Sequence, residues 1–316
     1  MLIFFMNKTV KLENYNNTIN SVVTIGTFDG VHIGHQKIVK RLIKVAKNNN
    51  LQSTVLTFFP HPRMVLQKES NIKLINTIDE KADLFNNLGL DYLVVKEFTK
   101  EFSRLTALEF VRDILVNKLQ VKHIIIGYDH QFGINRTANI DDLKEYGEIY
   151  DFKVTEITAQ EIDEVTISST KIRKALSEGD IVTANTYLGY HFMLTGIIVK
   201  GKGLGKQIDF PTANLQIKET YKLIPKPGVY IVKSNIYGEI IFGMMNIGNN
   251  PTVGGKNQTR EIHFFDFNQD IYGNKVKIEL LKRIRNEQKF VSIKALQTQL
   301  HKDKSLALEY INKIHG

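Results

Sequence analysis

Two histidines, His32 and His35, stand in the run Gly26-Thr27-Phe28-Asp29-Gly30-Val31-His32-Ile33-Gly34-His35. Imidazoles donate to phosphate oxygens, and the amides at a helix start are partly positive and lack internal partners. Gly26, Gly30 and Gly34 let the backbone approach an anion without Cβ interference. These residue types point to a nucleotide-triphosphate site, in a run that also holds Phe28 and Asp29. The pair alone also fits ordinary turn and cap residues, and no third ligand lies at a spacing that would complete a metal site.

A second anion-binding pattern is Ile167-Ser168-Ser169-Thr170-Lys171-Ile172-Arg173. It reads as an N-cap followed by a basic first turn, which opposes the helix dipole. A bound anion would offset that conflict, held by the Ser169 and Thr170 hydroxyls and by the planar fork of Arg173. A plain Ser/Thr cap with a solvated arginine fits the same letters.

The C-terminal half carries different chemistry. Gly201-Lys202-Gly203-Leu204-Gly205-Lys206 is glycine-rich and basic. Gly201, Gly203 and Gly205 could cradle phosphate or form a flexible hairpin, since the Walker spacing is missing. Phe210-Pro211-Thr212-Ala213-Asn214-Leu215 follows. On an extended segment Thr212 and Asn214 share a face, and their hard oxygens suit Mg²⁺ (magnesium). Glu261, within Thr259-Arg260-Glu261-Ile262-His263-Phe264, has apolar neighbours that predict a half-buried strand position suited to a general base. Asp266 and Glu279 are rival carboxylates.

The elements that must position these residues differ between the two halves. Residues 22–25 read as a buried strand, and Ile38, Val39, Leu42, Ile43 and Ala46 recur as the buried stripe of a helix. Strand 53–58, a Pro-His-Pro loop at 60–62, helix 77–88, strand 92–95, helix 107–119 and strand 123–126 follow. This alternation predicts a parallel sheet with helices on both faces, its ligands at the carboxyl ends of the strands. The histidine turn, the Pro-His-Pro loop and 127–130 should then share one crevice.

A short helical passage at 180–187 precedes about a hundred residues with no helical pattern. Strands are predicted at 192–199, 229–234, 240–245, 261–267 and 275–281, separated by glycine, asparagine and proline turns. They indicate an antiparallel barrel or sandwich, closed by a long terminal helix interrupted near Lys302-Asp303. The expected boundary lies near residue 185, giving domains 1–185 and 186–316.

The 316 residues, 42% hydrophobic, suffice for two cored domains. No apolar run reaches the roughly 20 residues that span a bilayer. Residues 2–6 are too short for a signal core and are expected to form a strand. The chain has no cysteine, which excludes disulfides and thiolate metal sites and is compatible with a reducing cytoplasm. Its net charge of +9 favours anionic partners, yet the lysines are scattered and no nucleic-acid motif is present.

The run from Gly26 to His35 resembles the HxGH signature of the nucleotidyltransferases, and Ile167 to Arg173 resembles their ISSTxIR turn. Residues 58–63 and 127–136 are similar to loops of the bacterial FMN adenylyltransferase module. The resemblance implies that His32 and His35 bind ATP phosphates and stabilise charge as pyrophosphate leaves. It also implies that Ser169, Thr170 and Arg173 hold the phosphate tail, while Asp29 and Asp129 line the crevice.

Residues 201–215, 227–230, 246–253, 261–273 and 285–290 are similar to riboflavin kinase. That family's fold is a six-stranded barrel in which the PTAN threonine and asparagine hold MgATP and a glutamate activates the ribityl hydroxyl. Carried over, these are Thr212, Asn214 and Glu261, with Arg285 near the flavin or phosphates. Together the two resemblances have the order of the bifunctional riboflavin kinase/FAD synthetase family, whose substrates are riboflavin, FMN and ATP and whose product is FAD.

The chain departs from the family pattern at Phe59, His130, Gln131, Ala138 and Asn139, on the acceptor side of the first site. Asp209 stands where glycine is common, a departure that matters if that position needs a positive φ. Two alternatives stay open. One is a single live site, the kinase; the other is a non-catalytic flavin- or RNA-binding regulator.

Overall fold

Strand β2 (Ser21–Ile25) is buried along its whole length, as a strand with helices on both faces must be. It sits inside a six-stranded sheet with β1 (Lys8–Lys11), β3 (Gln52–Phe59), β4 (Tyr92–Glu97), β5 (Val121–Gly127) and β6 (Lys153–Ile157). The order is β1-β4-β3-β2-β5-β6, and each adjacent pair is parallel. The chain winds outward from β2 through β3 and β4, then crosses to β5 on the other side. Strand order therefore reverses between β2 and β5, which opens a crevice at their carboxyl ends. The β2–α1 turn sits there.

The computed structural model describes residues 8–315 except 17, 68–70, 128–130, 159–166, 202–204, 206–207 and 253–254. The expected strand at 2–6, together with Asp129, His130 and Gly203, lies outside the described residues. The chain divides into two compact units, Met1–Ser169 and Thr170–Gly316.

Helix α1 (Ile33–Asn48) buries its predicted stripe with Val22 and Phe85, the latter from α3 (Ile78–Leu88). Val23 and Ile25 point to the opposite cluster, with Phe110, Leu115 and Leu143. Helix α3 begins at a reciprocal Thr77–Glu80 capping box and ends at Gly89, φ 84, where only glycine is unstrained. The Pro-His-Pro segment is more ordered than expected. Pro62 opens a short helix α2 (Pro62–Leu66), its fixed φ suiting the first helical position.

The helix expected at 107–119 also differs. After α4 (Ala107–Glu109) the backbone widens into a π-helix, Phe110–Val116. Phe110, Val111 and Leu115 are its buried residues. Helix α5 (Ile140–Tyr150) completes this face.

In the second unit α6 (Ser169–Glu178) and α7 (Ile181–Leu188) precede a closed barrel. Its strands are β7 (Met193–Val199), β8 (Ala213–Gln216), β9 (Gly228–Ile236), β10 (Glu239–Thr252), β11 (Gly255–Phe264) and β12 (Lys275–Arg285). They close in the order β10-β11-β8-β7-β12-β9, all antiparallel. The β10–β11 ladder runs well beyond the expected strands, from Gly243–Phe264 to Thr252–Gly255. Its Asn, Gly and Pro letters read locally as a turn, but ladder partners hold them extended.

Helix α8 (Ile293–His315) is continuous, contrary to the expected interruption at Lys302-Asp303. Asp303 is fully buried and accepts from Arg285 Nε at 3.0 Å and Nη2 at 2.7 Å, and from Gln299 at 2.9 Å. The polar letter that resembles a break is an inward-facing tie to β12. Asp303→Ala should strand the Arg285 guanidinium and cost about 3 kcal/mol. The check is urea unfolding of the full chain, read on the second unit's transition.

Candidate active sites

The first site is built on a strained turn between β2 and α1. Phe28 (φ 45), Gly30 (φ 90) and Val31 (φ 36) all occupy the left-handed half of φ space. A Cβ on Gly26 would stand 3.0 Å from the Phe28 ring, so glycine lets the aromatic fold back over the turn. Such a backbone persists only when its surroundings hold it. Three contacts do so. The buried Asp29 carboxylate accepts the Ile75 amide at 2.9 Å and the Asn76 amide at 3.5 Å. The Asp29 carbonyl accepts the Ser169 hydroxyl at 2.7 Å. The Thr27 carbonyl accepts Lys81 Nζ at 2.6 Å and the Thr57 hydroxyl at 3.2 Å.

The turn presents the two histidines as a stacked pair, ring centroids 3.6 Å apart. His32 caps α1, its Nδ1 accepting the His35 amide at 3.4 Å. That bond places the proton of neutral His32 on Nε2 as a free-facing donor. Burial pushes the His32 pKa down to about 4, opposed by the Asp29 charge. Burial, then the charges of His32 and Lys81, pushes His35 down as well. His35 packs edge-on against Phe28, and its buried Nδ1 has no hydrogen-bond partner among the described residues. Neutral imidazoles and helix-start amides suit an incoming phosphate.

The serine-threonine stretch plays a part the cap reading missed. Ser169 and Thr170 are the first residues of α6, and the Ser169 hydroxyl reaches 140 residues back to Asp29. Ser169 of the second pattern is thus tied to the histidine turn. Thr170 and the half-buried Arg173 belong to the second unit.

The barrel assembles the second site by register. Glu261 on β11 pairs directly with Asn214 on β8 and with Asn246 on β10. Directly opposed residues of antiparallel strands project to one side, so an amide, a carboxylate and an amide form one row. The row continues to Val229, which packs with Ala307 and Ile311 of α8, so it lies on the helix-bearing face. Glu261 is half-buried, as its neighbours predicted.

A Cβ on Gly201 would fall 2.0 Å from the Asn214 side-chain nitrogen, and one on Gly205 2.1 Å from the Phe210 carbonyl. Gly201 and Gly205 therefore approach Asn214 and Phe210 more closely than any side chain would allow. His263 Nδ1 bonds the Pro211 carbonyl at 2.9 Å, and its ring lies tilted at 57° against Phe210, which also meets His301 of α8. Asp209 sits at φ 59, a conformation that glycine adopts without strain.

The rival carboxylates are otherwise placed. Glu279 is engaged with Lys233 at 3.3 Å and His191 at 3.4 Å. Asp266 is in an exposed turn at φ 52. The Arg285 guanidinium is committed to Asp303 and stands over the Phe290 ring.

A family model described as FAD synthetase matches residues 14–171, and one described as riboflavin kinase matches residues 188–311. A relative from Buchnera aphidicola of Schizaphis graminum is 38% identical over 299 residues, covering 93% of this chain and 95% of that one. One from Listeria monocytogenes is 38% identical, covering 94% of each. One from Bacillus subtilis is 37% identical, covering 97% and 99%. All three are described as bifunctional riboflavin kinase/FMN adenylyltransferases.

The chain belongs to the bifunctional riboflavin kinase/FMN adenylyltransferase family.

A crystal structure described as a macrolide-efflux protein from Streptococcus pneumoniae has the same fold. Its TM-score is 0.85 at 32% identity, covering 95% of this chain and 98% of that one. Among the described residues no helix is long and apolar enough to cross a membrane. Sequence reasoning missed Lys81, Thr57, Asn246 and His263 at these sites. Their letters signal nothing locally; each acts through a contact made across the fold.

Proposed function

We propose that the chain makes FAD in two ATP-dependent steps, phosphorylating riboflavin to FMN on the barrel and adenylylating FMN at the histidine turn. The chain is an enzyme of flavin biosynthesis, a kinase and a nucleotidyltransferase. The kinase assignment rests above all on the in-register row Asn214–Glu261–Asn246, which sets one carboxylate beside the Thr212-Asn214 loop. In that step Glu261 takes the proton of the ribityl hydroxyl as its oxygen bonds the γ-phosphorus and the bond to ADP breaks.

The Thr212 hydroxyl, the Asn214 amide carbonyl and nucleotide phosphates form a hard-oxygen donor set that fits Mg²⁺. The ion, when bound, neutralises charge on the phosphates. Gly201 and Gly205, where a Cβ would run into Asn214 and Phe210, border the nucleotide. Arg285, held by Asp303, borders the flavin end.

In the second step an FMN phosphate oxygen bonds the α-phosphorus of ATP and pyrophosphate leaves. His32, through Nε2–H, and His35 stabilise the charge that develops, while the Gly34 amide and the turn at Phe28 hold phosphate oxygens; Gly26, whose own amide is bonded to the Leu56 carbonyl at 3.0 Å, makes room for the Phe28 ring. Asp29 fixes the turn and Ser169 locks it; Thr170 and Arg173 are the residues we assign to the polyphosphate. We assign residues 1–185 to adenylyl transfer and 186–316 to phosphorylation, in the cytoplasm.

The test is the purified chain with riboflavin, ATP and Mg²⁺. FMN should appear first, then FAD with pyrophosphate. FMN accumulating without FAD would overturn the two-step reading and leave the kinase alone.

A further inference from the structure

Lys81 is 4% exposed, on the face of α3 that turns toward the β2–α1 crevice. Its ammonium has two hydrogen-bond partners among the described residues, both neutral oxygens: the Thr27 carbonyl at 2.6 Å and the Thr57 hydroxyl at 3.5 Å. A buried lysine ordinarily bonds a carboxylate, because desolvating an ammonium is costly. The carboxylate that acts on it, Asp29, is itself bound to the Ile75 and Asn76 amides. Around it, α1 contributes His35, the turn contributes Asp29 and β3 contributes Thr57, which is uncharged. On α3 itself Glu80 turns back to the Thr77 amide. An ammonium kept beneath a turn that presents helix-start amides and imidazoles adds positive potential where a polyphosphate would lie.

We propose that Lys81 is a positioning residue for adenylyl transfer: it clamps the Thr27 carbonyl so that the strained turn presents His32 and His35, and its charge favours the bound polyphosphate. Lys81 touches no substrate; it acts through the turn. Burial lowers its pKa to about 8, against the Asp29 charge. The clamp is therefore cationic at neutral pH and discharges in mild alkali. The inference rests on the assignment of the histidine turn to FMN adenylylation.

Lys81→Met keeps the apolar stem and removes the charge and the donor. Its kcat for FMN-to-FAD conversion should fall by roughly 10- to 100-fold, because the histidines lose their alignment. FMN formation from riboflavin by the same sample should be unchanged and reports that the second unit is intact, while urea unfolding of the first unit reports that the variant is folded around α3. In the unaltered protein kcat/KM for ATP in FAD formation should decline above about pH 8, as free-enzyme Lys81 loses its proton. That alkaline limb should be missing in the variant.

Wild-type FAD formation by Lys81→Met, with the limb retained, would overturn the proposal. If the variant does not fold, a flat kcat/KM from pH 7 to about 9.5 in the unaltered protein would overturn it equally. An unaltered protein that makes FMN but no FAD overturns the adenylyl-transfer reading instead, so the two failures are distinct.

Discussion

Glu261→Gln should lower FMN formation from riboflavin by roughly 10²- to 10⁴-fold, the range for loss of a positioned general base. Glutamine keeps the volume and the row with Asn214 and Asn246, and it loses only the ability to take the hydroxyl proton. The barrel is therefore expected to stay folded, with β11 paired to β8 and β10 as before. FMN-to-FAD conversion by the same variant should be unaffected, because the histidine turn belongs to the other compact unit. Separation of riboflavin, FMN and FAD by chromatography reads both activities in one sample. Normal FMN production would remove Glu261 from its assigned role. The alternatives are few, since Glu279 is engaged with Lys233 and His191 and Asp266 is exposed.

The complementary pair, His32→Ala and His35→Ala, should each lower FAD formation from FMN by roughly 10²- to 10³-fold and spare riboflavin phosphorylation. His32→Ala removes the Nε2 donor and the cap on the His35 amide, and His35→Ala removes the stacking partner that holds the His32 ring. The pH dependence of stability carries a separate signature. Burial holds His32 at about 4, below its unfolded value of about 6.5, so the unfolded chain binds more protons between those values. The stabilising contribution is complete above about pH 6.5 and fades as the pH falls toward 4, by roughly 1–3 kcal/mol. Urea unfolding of the first unit at pH 7 and pH 5 should show that loss in the unaltered protein. His32→Ala should show a smaller difference. An equal acid sensitivity in both proteins would mean that His32 is not held neutral.

Much of the fold was legible because its signals are local. The stripe from Ile38 to Ala46 is the buried face of α1, and the alternation of strands and helices is the parallel sheet. The glycine-broken turn could be read as a candidate site only together with the Ser169–Arg173 pattern, because the histidine pair alone also fits ordinary turn and cap residues. Glu261 could be chosen from its half-apolar neighbours. The π-helix after Glu109 could not, since a periodic pattern of apolar residues does not distinguish neighbouring turn widths over so short a span.

What failed to show has a common cause. Lys81 reads as one more lysine on a solvated helix, and only the docking of α3 against the turn after β2 buries it on the Thr27 carbonyl. Asp303 reads as a helix break, and only the return of β12 beside α8 makes it the buried partner of Arg285. Ser169 reads as a cap until the chain brings it back to Asp29. The row Asn214–Glu261–Asn246 depends on the register of three strands, which no one segment encodes.

By itself the sequence determined the two architectures, the family and the residues with chemical potential, because periodicity, turn chemistry and motif spacing act over a few neighbours. Only the tertiary structure decided which groups hold those residues in place. Clamps such as Lys81, His263 and Asp303 are contacts between distant segments, and their energy comes from burial and register that local letters do not carry.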